Sequence, residues 1–218
     1  MTGYAVLAAA DAPLTAEARD ALAAAIEGAT GARVTVEPRP FGAIAIGATP
    51  SADRTGAVAL RQTLRAALPS FDLAVRVRPV VAPALAVFDM DSTLLSIEVI
   101  DELARRHGVG AEVAAITERA MRGELDFEAS LRARVRRLAG LSAAALDELA
   151  AALPLSPGAA ALIAALRARG CVCAIASGGF TFASDALVRS LGVEHAHANT
   201  LEIVDGSLTG EVVGAVVT

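Results

Sequence analysis

Two hydrophobic periods divide the chain. In its first part, short apolar or alternating stretches at Tyr4–Ala9, Arg33–Pro38, Phe41–Gly47 and Phe71–Val77 read as strands. In the last of these, Phe71, Leu73, Val75 and Val77 share one side. Between them, helical spacing predicts helices over Thr15–Gly28, with Thr15 as N-cap, and Asp53–Leu68, whose apolar face carries Val58, Leu60, Leu64 and Leu68. The order β-α-β-β-α-β over residues 1–78 predicts a ferredoxin-like α+β domain. Residues 79–83 hold two prolines and read as an extended linker.

From residue 84 the pattern changes. Ala84–Phe88 is an apolar strand, and helical period then takes over from Ile97 to Leu153. Glycines at 108, 110, 123 and 140 cut this region into four helices, Ile97–Arg106, Ala111–Arg122, Phe127–Ala139 and Ala143–Leu153. A helix over Gly158–Gly170 follows, with Ser156 as N-cap and Pro157 opening it. The continuous apolar run Cys171–Ala176 predicts a strand buried on both faces. It ends at Ser177-Gly178-Gly179, before a helix from about Phe182 to Leu191. Asp205-Gly206 joins Ala198–Val204 and Ser207–Val213 as a hairpin. The fold class is therefore α/β: a Rossmann-like core over 84–218 with an all-helical insert at about 97–153, placed as a lid over the sheet edge.

Candidate chemistry collects at that edge. The first core strand stops at Asp89-Met90-Asp91-Ser92-Thr93, two carboxylates one residue apart. In open α/β sheets ligands bind beyond the carboxyl ends of the strands. A carboxylate there can accept a phosphoryl group, and a second can protonate the leaving oxygen and later activate water. The turn at Ser177-Gly178-Gly179 offers a hydroxyl and bare backbone to an anion on the same edge. In the helix from Phe127, Phe127, Leu131 and Leu138 form one apolar stripe with Arg134 in its middle. Such an arginine needs either a bound anion or an internal salt bridge to an Asp or Glu of the lid.

Composition narrows this picture. The chain is 55% hydrophobic but only 3% aromatic, so Ala, Val, Leu and Ile must build the core. A net charge of −5 argues against a nucleic-acid partner. All 19 basic residues are arginine. Met1–Leu14 lacks the basic start of a signal peptide, and no apolar run reaches the roughly 20 residues that span a membrane, which points to the cytoplasm. Cys171 and Cys173, on one face of a strand, read as small buried hydrophobes of a reducing compartment. His195 and His197 read as partly buried rings without the further ligands that a metal site requires.

The strand followed by D-x-D-x-T resembles the first motif of the haloacid dehalogenase-type phosphatases. The longer string Phe88–Ala104 resembles their phosphoserine phosphatase branch, as do Ile116–Gly123, Ser177–Phe180, Ala198-Asn199 and Asp205–Gly210. This resemblance implies Mg²⁺-dependent hydrolysis of O-phospho-L-serine in serine biosynthesis. It implies Asp89 as nucleophile, Asp91 as general acid and base, and both as Mg²⁺ ligands, Asp91 through its backbone carbonyl. It further implies Ser177 and Gly178 as phosphate binders, Glu98 for the substrate ammonium and Arg134 for its carboxylate, with Met121 and Phe127 lining the pocket. The first domain is similar to amino-acid-sensing ACT domains and is expected to support a homodimer. In that family the chain continues past the hairpin to a phosphate-binding lysine and a Gly-Asp-Gly-x-Asn-Asp motif, which this sequence lacks. It therefore reads as a core incomplete at its C-terminal side, and the other expectation is an inactive homologue that keeps small-molecule binding or subunit pairing.

Overall fold

The computed structural model describes residues 4–9, 14–39, 42–47, 53–77 and 83–218. It divides into two compact units, Met1–Val81 and Ala82–Thr218. Phe41 and most of the predicted linker lie outside the described residues.

The first unit runs β1 (Tyr4–Ala9), α1 (Ala16–Thr30), β2 (Val34–Arg39), β3 (Gly42–Gly47), α2 (Arg54–Ala67) and β4 (Asp72–Val77). Thr15 caps α1 by accepting from the Ala18 N–H at 3.2 Å, and Asp53 caps α2 by accepting from the Gly56 N–H at 2.6 Å. The sheet order is β2-β3-β1-β4, antiparallel throughout, as in a split β-α-β arrangement. Leu22 and Ile26 of α1 and Leu60 and Leu64 of α2 pack with Val6 and Ala8 of β1, and Leu73, Val75 and Val77 of β4 close the same core. Ala57, not the expected Val58, completes the buried stripe of α2; Val58 is 53% exposed.

The second unit opens with β5 (Leu85–Phe88) and a tight loop at Met90–Leu94. Four helices follow: α3 (Val99–His107), α4 (Gly110–Met121), α5 (Phe127–Arg136) and α6 (Ala143–Ala151). Then come α7 (Ala159–Arg167), β6 (Val172–Phe180), α8 (Thr181–Leu191), β7 (His195–Val204) and β8 (Ser207–Val213). β5, β6 and β7 are parallel neighbours, and β8 returns antiparallel to β7. Asp205 and Gly206 take φ of 50° and 75°, the two left-handed residues of a tight hairpin turn. Core strands and inserted helices share one apolar cluster, in which Leu103, Val113, Leu131 and Val135 join Cys173, Ile175 and Phe180.

Three local expectations are corrected. α7 starts at Ala159 because Gly158, at φ 85°, is its cap, while the Ser156 N–H bonds the Leu94 carbonyl at 2.9 Å. β6 is covered on one face only: Cys173 and Ile175 are buried, but Val172 is 39% exposed, and Leu85 and Val87 beside it are 55% and 57% exposed. An apolar run marks a strand without showing that both its faces are packed. His195 and His197, expected to be partly buried, are exposed on β7.

Candidate active site

Phe88 pairs with Ile175, so the chain leaves β5 at Asp89 close to the point where β6 leaves its ladder. Between β6 and β7 the register runs Ala176↔His197 and then Phe180↔Asn199. Ser177, Gly178 and Gly179 thus face a single residue, Ala198, and bulge out of the sheet. The strand resumes at Phe180 instead of ending at Ala176, a bulge that apolar periodicity could not reveal.

The bulge, the Asp89–Asp91 segment and α5 enclose a cavity of about 170 Å³. Asp89, Asp91, Glu98, Ser177 and Gly178 line it, and α5 contributes Phe127, Leu131 and Arg134. This volume is below the roughly 300–1,000 Å³ of drug-sized pockets and suits a small polar ligand. The structure does not bring Met121 to this cavity. As the last residue of α4 it points outward and is 85% exposed.

Each group is held by its own part of the chain. The Thr93 hydroxyl reaches Asp89 Oδ2 at 3.4 Å. Asp91 Oδ1 accepts from the Val99 N–H at 3.1 Å, at the start of α3. Burial raises the Asp91 carboxyl to about 6; the Val99 hydrogen bond opposes this, and the charges of Glu98, Asp89 and Asp101 add to it. A methyl group added at Gly179 would lie 2.6 Å from Asp91 Oδ2, so only glycine lets the turn approach this carboxyl. Ser92 adopts a left-handed φ of 51°, which lets its N–H bond the Ile97 carbonyl at 3.1 Å while its hydroxyl donates to Glu98 Oε1 at 2.6 Å. That strained residue fixes Glu98, a role invisible in the sequence motif.

Arg134 answers the question left open by its place on an apolar stripe. Its neighbours Arg132, Arg136 and Arg137 pair with Glu128, Glu211 and Glu112. Arg134 forms no ion pair among the described residues; its Nε reaches only the Ser130 carbonyl, at 3.4 Å. The internal salt bridge is therefore not formed, and a half-buried guanidinium faces the cavity. Burial pulls its pKa down, and the carboxylates of Asp101, Glu98 and Asp91 hold it up.

Three carboxylates and one guanidinium line a cavity proposed from sequence to take an anion. A phosphate could enter only with a cation to offset Asp89 and Asp91. Among the described residues no three His, Cys, Asp or Glu side chains are grouped to hold a metal ion. The Asp89 carboxylate and the Asp91 backbone carbonyl fit Mg²⁺ in kind, an ion that is bound through one or two carboxylates and keeps several of its waters. Asn199 is buried beneath the bulge, and its Nδ2 donates to the Gly178 carbonyl at 2.8 Å. Its backbone partners are distant in sequence; the one available signal was an amide buried in a strand.

The chain is 55% identical over 135 residues to a phosphoserine phosphatase of Vibrio cholerae, a match covering 62% of this chain and 41% of that protein. It spans 33% and 42% of the next two curated relatives, less than half of each. The unliganded crystal structure of a probable phosphoserine phosphatase from Vibrio cholerae superposes with a TM-score of 0.70 at 38% identity, covering 99% of this chain and 64% of that one. A solved phospho-aspartyl intermediate analogue of phosphoserine phosphatase gives a TM-score of 0.56 at 43% identity, covering 61% and 63%. The family profile of the haloacid dehalogenase-like hydrolases matches residues 86–217, more than half of the chain. The chain belongs to the haloacid dehalogenase-like hydrolases.

Proposed function

We propose that this cavity binds O-phospho-L-serine and that the protein hydrolyses it, with Asp89 as nucleophile. The single observation that carries the reading is Arg134, without an ion partner among the described residues, lining the same small cavity as Asp89 and Asp91. A small site that brings carboxylates and such a guanidinium together suits a phosphomonoester bearing its own carboxylate.

In this reading the phosphoryl group sits against Ser177 and Gly178, the substrate ammonium meets Glu98, and its carboxylate meets Arg134. The apolar walls at Phe127 and Leu131 exclude water around the substrate. Asp89 Oδ attacks phosphorus and the bond to the serine oxygen breaks, leaving an aspartyl phosphate. The Asp91 carboxyl, raised to about 6 and so easily protonated, gives its proton to the leaving oxygen. Its carboxylate then takes a proton from the water that hydrolyses the aspartyl phosphate, restoring both groups. Mg²⁺ is the proposed cofactor; the Asp89 carboxylate and the Asp91 carbonyl would hold it and it would supply charge neutralisation, but the lysine and the further Asp that the family resemblance implies are not in this sequence. In phosphoryl transfer, catalysis is mainly positioning and charge stabilisation, so this gap matters.

The first unit is proposed as an ACT-like pairing module, on its strand order, in which β2 and β4 are the outer strands. Cytoplasmic serine biosynthesis is the proposed setting. Among the described residues no helix is long and apolar enough to cross a membrane.

The test is an assay with phosphoserine and Mg²⁺ of two proteins. One is the 218-residue chain. The other is extended by the Vibrio cholerae sequence that follows the matched region. We expect turnover by the extended protein and at most a trace from the shorter one. No turnover by the extended protein would overturn the reading. Equal turnover by both would show that the chemistry rests on other residues.

A further inference from the structure

The bulge at Ser177–Gly179 has backbone groups that no longer belong to the sheet ladder, and something must hold them. We infer that Asn199 is the positioning residue that presets the Ser177 hydroxyl as a donor to the bound anion. This rests on the proposed reading of the cavity as a phosphate site, and it assigns a role that neither the motif nor the family match supplies.

Asn199 is 2% exposed, and its amide is fully used. Nδ2 donates to the Gly178 carbonyl at 2.8 Å and to the Val217 carbonyl at 3.1 Å, while Oδ1 accepts from the Val217 N–H at 2.8 Å. Two carbonyls on one side and an N–H on the other leave only one orientation for the amide. An aspartate could not donate to either carbonyl, and leucine would leave all three backbone groups without this partner.

The consequence passes through one peptide unit. The Gly178 carbonyl and the Gly179 N–H lie on opposite sides of the same planar trans peptide. With the oxygen held by Asn199, the N–H points to Ser177 Oγ, which accepts it at 3.0 Å. Ser177 is 5% exposed and lines the cavity. Its oxygen is thus engaged as an acceptor, and no described residue accepts its own hydrogen. That hydrogen is left for a ligand. The order is Val217 to Asn199, Asn199 to the Gly178–Gly179 peptide, and that peptide to Ser177, a chain in which each bond orients the next. A merely structural asparagine would support the fold equally well without reference to Ser177.

The test is a double-mutant cycle on the 218-residue chain, with inorganic phosphate and Mg²⁺ as the probe, titrated by amide NMR. Ser177→Ala removes one hydrogen bond to a charged group and should weaken binding about tenfold. Asn199→Ala should weaken it by a similar factor. The double variant should lose about tenfold as well, because both changes remove the same donor. A hundredfold, additive loss would overturn the inference, as would unchanged affinity in Asn199→Ala. Should Asn199→Ala fail to fold, Val217→Pro removes the N–H that anchors Oδ1 and leaves the carbonyl to which Nδ2 donates, and a loss of a few-fold, absent on a Ser177→Ala background, is expected. The Gly179 amide supplies a readout that does not depend on phosphate. Its hydrogen exchange should quicken in the Asn199 or Val217 variant, and unchanged protection would overturn the inference. Phosphate binding by neither this chain nor the extended protein would sink the reading of the cavity, and the Gly179 exchange would still decide whether Asn199 holds the peptide.

Discussion

The two ends of the cavity are built by different means. At the sheet end, Asp91 and the bulge are held by hydrogen bonds to backbone that the fold itself fixes, Val99 to Asp91, Gly179 to Ser177 and Asn199 to Gly178, while Asp89 accepts from the Thr93 hydroxyl at 3.4 Å. At the helical end, Arg134 is placed by the buried Leu131 and Val135 on the same helix and has no ion partner among the described residues. Phe127, on that same helix, is 43% exposed and rests against Gly178, where an added methyl group would lie 2.5 Å from its ring. The rigid end is suited to chemistry, which needs reacting groups held in place. The adaptable end is suited to choosing the substrate. Damage at the first should abolish the reaction, and damage at the second should change what reacts.

The largest effect is expected at the sheet end. In the extended protein, Asp89→Asn should reduce phosphoserine turnover to background, because removing the proposed nucleophile leaves a reaction that is among the slowest known without catalysis. Measurable steady-state turnover by this variant would break the distinction between the two ends.

At the helical end, Arg134→Ala should lower kcat/KM for phosphoserine by about 30-fold or more, the cost of about 2 kcal/mol or more for losing a desolvated charge contact. A small phosphate ester without a carboxylate should lose little. Equal losses for both substrates would make Arg134 a structural residue.

A third change separates stability from function at Asp91. Its folded pKa, about 6, lies above the ordinary value of 3.8, so the folded state binds the proton more tightly than the unfolded chain. The resulting stabilisation is complete below about pH 3.8 and is lost as pH rises through about 6. Two units correspond to at most about 3 kcal/mol. Without added metal, Asp91→Asn should therefore melt several degrees above the parent at pH 8, with the gap closing near pH 4. The amide oxygen can still accept from Val99. A gap independent of pH would place the burial of this carboxyl in doubt.

The smallest effect is expected at Met121. As an 85% exposed side chain outside the cavity, it should tolerate replacement by alanine with less than about a twofold change in KM and about 0.5 kcal/mol in stability. A larger rise in KM would return Met121 to the site.

Much of this arrangement was legible in the amino-acid pattern, and the reasons differ from residue to residue. Periodicity located each described strand and helix to within a few residues, since burial of one face demands it. It also singled out Arg134, because a charge in an apolar stripe requires a physical explanation. Asp89 and Asp91 stood out through their spacing at a strand end. What stayed hidden depends on contacts between distant segments. The bulge at Ser177–Gly179 is a register difference against β7, and the role of Asn199 lies in backbone atoms of residues 178 and 217. The exposure of Val172 beside Leu85 and Val87 depends on what packs above the sheet, which no strand pattern states. Met121 lost its expected place through the direction in which the end of α4 points.

The central claim is that the sheet end receives the phosphoryl group on Asp89. The most direct measurement is an acid quench of the extended protein during turnover of phosphoryl-labelled phosphoserine, followed by peptide mapping. The account predicts an acid-stable, hydroxylamine-sensitive label on the peptide carrying Asp89, absent in Asp89→Asn. A label on a serine or histidine, or turnover that leaves no label on Asp89 at any quench time, would contradict it.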